Sequence, residues 1–234
     1  MARPQHSDDA RETPGLFEAM YTSRAIRRFK PDPVPEDVTF QLIDSAIRAP
    51  TGHNSQDWRF VVVTDAKAKQ QMQEWSERAW TLAFPQYAEQ AAIDALPRTQ
   101  RLSIQSVKDM AHTLAQVPLI IVVCGLKGKH SSPGGSHFPA IQNMLLAARG
   151  LGLGGSIFNL PMVGGPGGES MYELLAIPES NEIYACVPIG YPTDKQGPLS
   201  RKPVRKVAYK ERFGEEWPFA SAQPDEGWRD RWDV

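Results

Sequence analysis

Apolar residues recur at helical spacing over several stretches of the chain. After Pro35, a proline followed by two carboxylates favours the first turn of a helix, and the apolar positions then keep helical spacing until Pro50 ends the pattern. The same spacing predicts a short helix over 16–23 and a longer helix over 66–83, which Asp65 caps.

Three apolar runs predict strands. Residues 59–64 and 183–189 are rich in apolar, strand-favouring side chains, and residues 118–124 are apolar throughout, which favours a central position in a sheet. The stretch 84–117 is polar and weakly periodic, so it predicts helical structure without defined bounds. This order of elements predicts an α+β fold in which helices dominate.

A helix over 138–149 is apolar on nearly every side, which predicts burial in the domain or against another subunit. Ser136 begins this helix, and Gly150 is predicted to close it as a C-terminal cap. The glycine-rich run 150–156 follows the helix and precedes a strand-like segment over 151–158, which is opposite to the order of a dinucleotide-binding loop. We therefore expect close backbone packing there, although a flat ligand lying on the backbone would also need glycines.

The bulk properties indicate one domain and exclude some partners. The chain has 234 residues, a formal net charge of -1 and dispersed basic residues, which give no electrostatic case for a nucleic-acid partner. We expect a disordered tail over 1–14, a domain over 15–205 and a C-terminal extension over 206–234. No run is long enough for a bilayer span and no signal-peptide core is present, so we expect no membrane partner and a cytoplasmic location.

The sequence offers no catalytic constellation of its own. Cys124 and Cys186 lie in apolar runs and are predicted to be buried thiols in a reducing cytoplasm. His53, His130 and His137 fall in predicted loops, where surface positions are expected, and no spacing suits a metal site. No Ser-His-Asp, Cys-His or paired-carboxylate arrangement is evident. The chemistry is therefore expected to come from a cofactor.

Two neighbouring segments can bind a phosphorylated, hydrogen-bonding ligand. In the run 23–29, Arg24 and Arg27 can hold a phosphate, because guanidinium groups match phosphate oxygens and stay charged. The apolar neighbours in this run are expected to fix the segment on the core, although a solvated basic turn is the ordinary alternative. The loop 50–58 carries four hydrogen-bonding side chains, which suit either a heterocycle edge or a simple connection. Arg201 can return to the same phosphate from the C-terminal side.

These segments resemble a known family. The run 23–35, Ser-Arg-Ala-Ile-Arg-Arg-Phe-Lys-Pro-Asp-Pro-Val-Pro, and the run 49–60, Ala-Pro-Thr-Gly-His-Asn-Ser-Gln-Asp-Trp-Arg-Phe, are similar to the opening motifs of the FMN-dependent nitroreductases. The helix and glycine run over 139–156, the run 188–192 and the run 201–203 resemble later segments of that family in the same order.

The resemblance implies a fold and a cofactor site. It implies an α/β sandwich with a central, mainly antiparallel sheet flanked by helices, and an intertwined homodimer with two FMN sites at the subunit interface. Arg24, Arg27 and Arg201 would hold the FMN phosphate, and the backbone of 157–159 would face the flavin ring. The implied cofactor-binding residues are Arg24, Ala25, Arg27, Pro50, Thr51, Asn54, Ile157, Phe158, Asn159 and Arg201.

Three positions depart from the family pattern. The family often has arginine at the position of Ser23, serine at that of Ala25 and proline at that of Asp57. A missing serine hydroxyl removes one hydrogen bond, a loss of about 1 kcal/mol. We therefore expect ordinary rather than tight FMN affinity.

The implied activity is a ping-pong reaction. NAD(P)H would reduce the flavin, and a small-molecule electron acceptor such as a nitroaromatic or quinone would then reoxidise it. The same fold also supports reductive dehalogenation, azoline oxidation and flavin cleavage. Two further alternatives are a protein that binds or senses flavin without turnover and a dimeric scaffold without a cofactor.

Overall fold

The computed structural model describes residues 14–128, 134–193, 195, 199 and 201–223. The helices in this part of the chain are α1 (Leu16–Thr22), α2 (Glu36–Ala46), α3 (Ala66–Ala83), α4 (Gln90–Asp94), α5 (Arg98–Thr113), α6 (His137–Gly150), α7 (Met171–Leu174) and α8 (Pro218–Ser221). The strands are β1 (Trp58–Val63), β2 (Leu119–Leu126), β3 (Gly154–Gly155) and β4 (Asn181–Gly190).

The four strands form one antiparallel sheet in the order β1-β2-β4-β3. Val122 at the middle of β2 pairs with Val61 on one side and with Cys186 on the other. The predicted central position of this apolar strand is therefore confirmed. Strand β3 has only two residues, so the predicted strand-like segment over 151–158 is mostly irregular.

Helices cover both faces of the sheet. Along β2, Ile121 and Val123 pack with α2 and α6, whereas Ile120 and Val122 pack with α3 and α5. Side chains of a strand alternate between faces, so a strand that is apolar at every position needs a hydrophobic layer on each side. The predicted α+β sandwich is confirmed.

Local signals fix the ends of several helices. The Asp65 carboxylate accepts a hydrogen bond of 2.8 Å from the backbone N–H of Ala68, so the predicted cap of α3 is confirmed. Ser170 and Glu173 form a capping box at the start of α7. This helix has four residues, Met171–Leu174.

The prediction that Gly150 caps α6 is wrong. Gly150 is the last helical residue, and Gly152 takes the left-handed conformation with φ of 75°. Leu153 N–H donates to the Ala148 carbonyl at 2.7 Å and Gly152 N–H donates to Arg149 at 3.3 Å, which is the Schellman pattern. Gly150 and Gly152 are both compatible with a helix cap. Gly152 is the capping residue because Leu153, which follows it, is buried in the same cluster as Ala148.

The stretch 84–117 contains α4 and α5, with single 3₁₀ turns at Pro85–Tyr87 and Leu114–Gln116. The glycine-rich run 162–168 starts inside another 3₁₀ turn, Leu160–Val163. Except for residue 14, the predicted tail lies outside the described residues, as does His130.

Candidate functional site

The arginine-bearing segment after α1 is held along the edge of the sheet. Ala25 forms a parallel bridge with Gly155, and the Ile26 N–H donates to the Gly155 carbonyl at 3.1 Å. Further along, Phe29 forms an antiparallel bridge with Pro192. Ile26 is buried, as expected for a segment fixed on the core.

Glycines make this approach possible. A Cβ on Gly154 would lie 2.6 Å from the Ile26 side chain, and one on Gly155 would lie 2.8 Å from the Pro188 carbonyl oxygen. Real Cβ atoms do not come so close, so glycine is required at both positions for β3 to lie between Ile26 and β4. The expected close packing of the run 150–156 is confirmed.

Arg27 and Arg28 face α5. The Arg27 Nη1 donates to Ser106 Oγ at 3.1 Å, and Arg28 forms an ion pair of 2.8 Å with Asp109. Burial lowers the pKa of the Arg27 guanidinium, which stays charged at neutral pH. Its Nε is buried and has no hydrogen-bond partner among the described residues.

An open cleft of about 320 Å³ lies between this segment and α5. Arg27, Arg28, Asp109, Thr113 and Thr193 are among its lining residues. The cleft therefore presents basic and hydroxyl groups together with the Asp109 carboxylate, which is paired with Arg28. Ser106 and Asp109 were not identified from the sequence, because no motif distinguishes them within a polar helix.

The other two candidate phosphate ligands are exposed. Arg24 directly precedes the bridge at Ala25, and Arg201 lies beyond β4 in the C-terminal part of the described chain. Arg24 and Arg27 therefore adjoin the Ala25–Gly155 contact within one segment, and Arg201 comes from a separate region of the chain.

The loop before β1 has an unusual backbone. His53, Asn54 and Gln56 have φ of 52°, 54° and 48°, in the left-handed region that non-glycine residues seldom adopt. The Gln56 N–H donates to Thr51 Oγ1 at 3.3 Å, and the Gln56 side-chain amide donates to Asn54 Oδ1 at 3.0 Å. Strained, exposed backbone of this kind is typical of ligand-binding loops.

The members of this loop differ in exposure. Pro50, His53 and Asn54 are exposed, and Thr51 is half-buried. The expectation of a surface position is therefore confirmed for His53. Asp57, at the end of the loop, is buried with 5% of its surface exposed.

The expectation that His137 lies in a surface loop is wrong. His137 is the first residue of α6 and is 2% exposed, with its ring stacked on that of Tyr184 at 3.9 Å. Burial raises the pKa of the Tyr184 hydroxyl, and the charges of Glu182 and Asp57 raise it further. Tyr184 lies in a strand that is apolar by pattern, so the sequence did not identify it as a polar position.

Residues 157–159 run beside β4. The Phe158 N–H donates to the Cys186 carbonyl at 2.8 Å, and the Phe158 side chain is buried in the core. Asn159 accepts from the Cys186 N–H at 3.1 Å and donates to the Tyr184 carbonyl at 3.4 Å. Ile157 is 41% exposed and presents an apolar side chain to solvent.

The thiols take no part in this site. Cys124 and Cys186 are free and buried in the core, as predicted. Burial raises the pKa of Cys186 to about 12. Within the described ranges, no helix has the length and apolarity needed to cross a membrane, and no three potential metal ligands cluster together.

Comparison with known proteins connects these segments to one family. The nitroreductase family profile matches residues 22–191, which is well over half of the chain. A protein named NADH dehydrogenase from Thermus thermophilus is 29% identical over 197 residues, covering 79% of this chain and 90% of that protein.

Solved structures share the fold. The structure of oxidised iodotyrosine deiodinase bound to FMN and 3-iodo-L-tyrosine is 23% identical, with a TM-score of 0.66, and the match covers 85% of this chain and 100% of that one. A nitroreductase with bound FMN from Desulfitobacterium hafniense is 19% identical, with a TM-score of 0.64, covering 84% and 98% of the two chains. The family profile spans residues 22–191 and so contains the bridged arginine segment, the loop before β1 and strand β4, to which Asn159 is hydrogen-bonded. The chain therefore belongs to the nitroreductase family.

Proposed function

We propose that this chain is an FMN-dependent oxidoreductase that accepts hydride from NAD(P)H and passes the electrons to a small electron-poor acceptor. The observation that carries the proposal is the bridge between Ala25 and Gly155. This bridge sets a segment with two arginines directly beside the segment that leads to Ile157, Phe158 and Asn159. A phosphate-binding end and a ring-binding end therefore adjoin within one chain.

The residues present suit FMN. The Arg27 Nε is a buried donor of a charged group without a hydrogen-bond partner among the described residues, and a phosphate oxygen is the kind of acceptor that would satisfy it. In the proposal, Arg24 and Arg201 add further positive charge for the phosphate. Ala25 supplies no hydroxyl, which agrees with ordinary rather than tight binding.

FMN, when bound, supplies the two-electron redox chemistry. In the proposal, Arg24, Arg27 and Arg201 bind the phosphate, and Pro50, Thr51 and Asn54 lie along the flavin or ribityl chain. The backbone of Ile157, Phe158 and Asn159 orients the ring. Asn159 is fixed for this task by its two hydrogen bonds to β4.

We also propose that the protein works as a homodimer and that residues 15–205 form the cofactor-binding domain. Large apolar side chains on α1, on α2 and the residue that follows it, and on α6 are exposed in the single chain, which supports burial against a second copy. They are Leu16, Phe17, Met20, Phe40, Ile47 and Phe138. The two free thiols agree with a cytoplasmic location, which we keep as part of the proposal.

A two-stage anaerobic experiment tests this function. The FMN-loaded protein is first mixed with NADH or NADPH, and bleaching of the flavin absorption is followed. A nitroaromatic, a quinone or a halogenated tyrosine is then added. The proposal expects bleaching by a nicotinamide and recovery of the absorption with a nitroaromatic or quinone.

The other outcomes contradict the proposal in distinct ways. Bleaching by dithionite but by neither nicotinamide, with recovery only on a halogenated tyrosine, assigns reductive dehalogenation instead. Bound FMN that no nicotinamide or acceptor affects identifies a protein that binds flavin without turnover.

A further inference from the structure

One end of the sheet contains a buried group of polar side chains. Asp57 comes from the residue before β1, Tyr184 from β4 and His137 from the first turn of α6. Their exposed fractions are 5%, 8% and 2%. Burial of polar groups is unfavourable unless they have partners, so this arrangement restricts how the surrounding segments can lie.

The group packs against Gly125 on β2. A Cβ at this position would fall 2.8 Å from Cε1 of His137 and closer still to Nε2, and it would lie 3.0 Å from the Asp57 carbonyl oxygen. The imidazole and the Asp57 backbone therefore both rest against a position where only glycine fits. On its other side, the His137 ring stacks on Tyr184 with an interplanar angle of 21°.

The Tyr184 hydroxyl is the polar centre of the group. Burial raises the pKa of this hydroxyl, the Glu182 and Asp57 carboxylates raise it further, and the Gly134 backbone lowers it. Elements β1, β2, β4 and α6 thus meet through one set of contacts.

This group reaches both segments that the proposed function places on the flavin. Asp57 ends the loop 50–57, and the Ser55 hydroxyl donates to its carboxylate at 3.4 Å. The Tyr184 carbonyl accepts a hydrogen bond from the Asn159 side chain at 3.4 Å. The loop and the segment 157–159 are therefore attached to residues of the same group, the loop through the Asp57 carboxylate and the segment through the main-chain carbonyl of Tyr184.

We propose that Asp57, His137 and Tyr184 are positioning residues that hold the loop 50–57 and the segment 157–159 in fixed relation. The role as a flavin support depends on the proposed function, whereas the coupling of the two segments does not. Loss of one member loosens both segments at once. The group acts through the backbone that it holds and is not assigned a contact with the reacting atoms.

Hydrogen–deuterium exchange on the cofactor-free protein tests the coupling directly. The reporting amides are Asn54, Ser55 and Gln56 in the loop, and Phe158 and Cys186 beside the second segment, since each has a defined acceptor. Asp57→Asn keeps the shape and removes the charge, and Tyr184→Phe removes only the hydroxyl. His137→Phe keeps a ring on Tyr184 and removes both ring nitrogens.

In Asp57→Asn and His137→Phe, we expect exchange of both sets of amides to rise about tenfold, while amides in α3 keep the wild-type rates. Asp65→Asn and Tyr172→Phe are the matched controls. The first changes a carboxylate at the α3 cap, and the second removes a hydroxyl that accepts a β4 amide at 3.3 Å. Neither control should change exchange in the loop.

Folded variants in which only one segment exchanges faster, or neither does, would overturn the proposal. A general rise that includes α3 identifies a purely structural role and also rejects it. Titration with FMN is the second readout. We expect the dissociation constant for FMN to rise about tenfold in Asp57→Asn. If wild-type protein binds no FMN, the proposed function fails while the exchange result still decides the coupling.

Discussion

The imidazole of His137 occupies the space that a side chain on Gly125 would need. Substitution of Gly125 by alanine must therefore displace the ring or the strand, because a Cβ would lie 2.8 Å or less from two ring atoms. We expect Gly125→Ala to lower the free energy of unfolding by about 2–3 kcal/mol. Urea unfolding followed by circular dichroism measures this loss.

The double variant Gly125→Ala/His137→Ala provides the control, because it removes the ring that the new methyl group would meet. The effect of Gly125→Ala should be smaller in the His137→Ala background than in the wild type. Equal effects in the two backgrounds would show that the ring is not what excludes a side chain at residue 125.

Arg27 is expected to be required for flavin content. Arg27→Ala should yield folded protein with little bound FMN, because a charge-assisted phosphate contact is lost, and Arg201→Ala should behave in the same way. Arg48→Ala is the matched control, since Arg48 is exposed and pairs with Asp44, four residues earlier in the chain. The absorbance ratio of flavin to protein measures occupancy, and full occupancy in both Arg27→Ala and Arg201→Ala would contradict the phosphate assignment.

Gly155 is expected to matter for both stability and cofactor binding. A Cβ there would meet the Pro188 carbonyl oxygen at 2.8 Å, so Gly155→Ala should displace the Gly155 backbone, which carries the bridge to Ala25, from β4. We expect Gly155→Ala to lower the free energy of unfolding by about 1–3 kcal/mol and to raise the dissociation constant for FMN. Gly15→Ala, where a Cβ meets nothing within 4 Å, should change neither quantity. Unchanged FMN affinity in folded Gly155→Ala would separate this bridge from the cofactor site.

Cys186 is expected to be inert in the folded protein. Burial raises the pKa of its thiol to about 12, from 9.0 in the unfolded reference. A thiol reagent at about pH 8 should therefore modify Cys186 only after denaturation, because the thiolate is the reactive form. Mass spectrometry of the labelled peptide provides the measurement, and rapid labelling under native conditions would contradict the buried position.

The same shift predicts a pH dependence of stability. The folded pKa is raised, so the unfolded chain loses its proton first and stability falls as pH rises above about 9, by up to about 1.4 kcal/mol per pH unit between the two pKa values. Cys186→Ala should lack this component. The free energy of unfolding is measured at about pH 8 and about pH 10 for both proteins. An equal change between the two pH values in the wild type and in Cys186→Ala would contradict this prediction.

Elements with strong local signals were predicted well. The bounds of α3 agree with the prediction because Asp65 is a helix cap and the following apolar residues keep helical spacing. The central place of β2 follows from its unbroken apolar run. Both features depend on residues close together in the chain, so a sequence can reveal them.

Features set by distant contacts were missed. His137 is buried because Gly125 and Tyr184, far away in the sequence, leave room for its ring. Gly152 rather than Gly150 caps α6 because Leu153 packs back on the core. Ser106 accepts a hydrogen bond from Arg27, which is 79 positions away in the sequence, so no local pattern reveals this contact.

Titration of the cofactor-free protein with FMN tests the central claim most directly. We predict saturable binding of one FMN per chain, with weaker binding in Arg27→Ala and unchanged binding in Arg48→Ala. Absence of saturable binding by the folded wild-type protein, or equal affinity in wild type and Arg27→Ala together with Arg201→Ala, would contradict it.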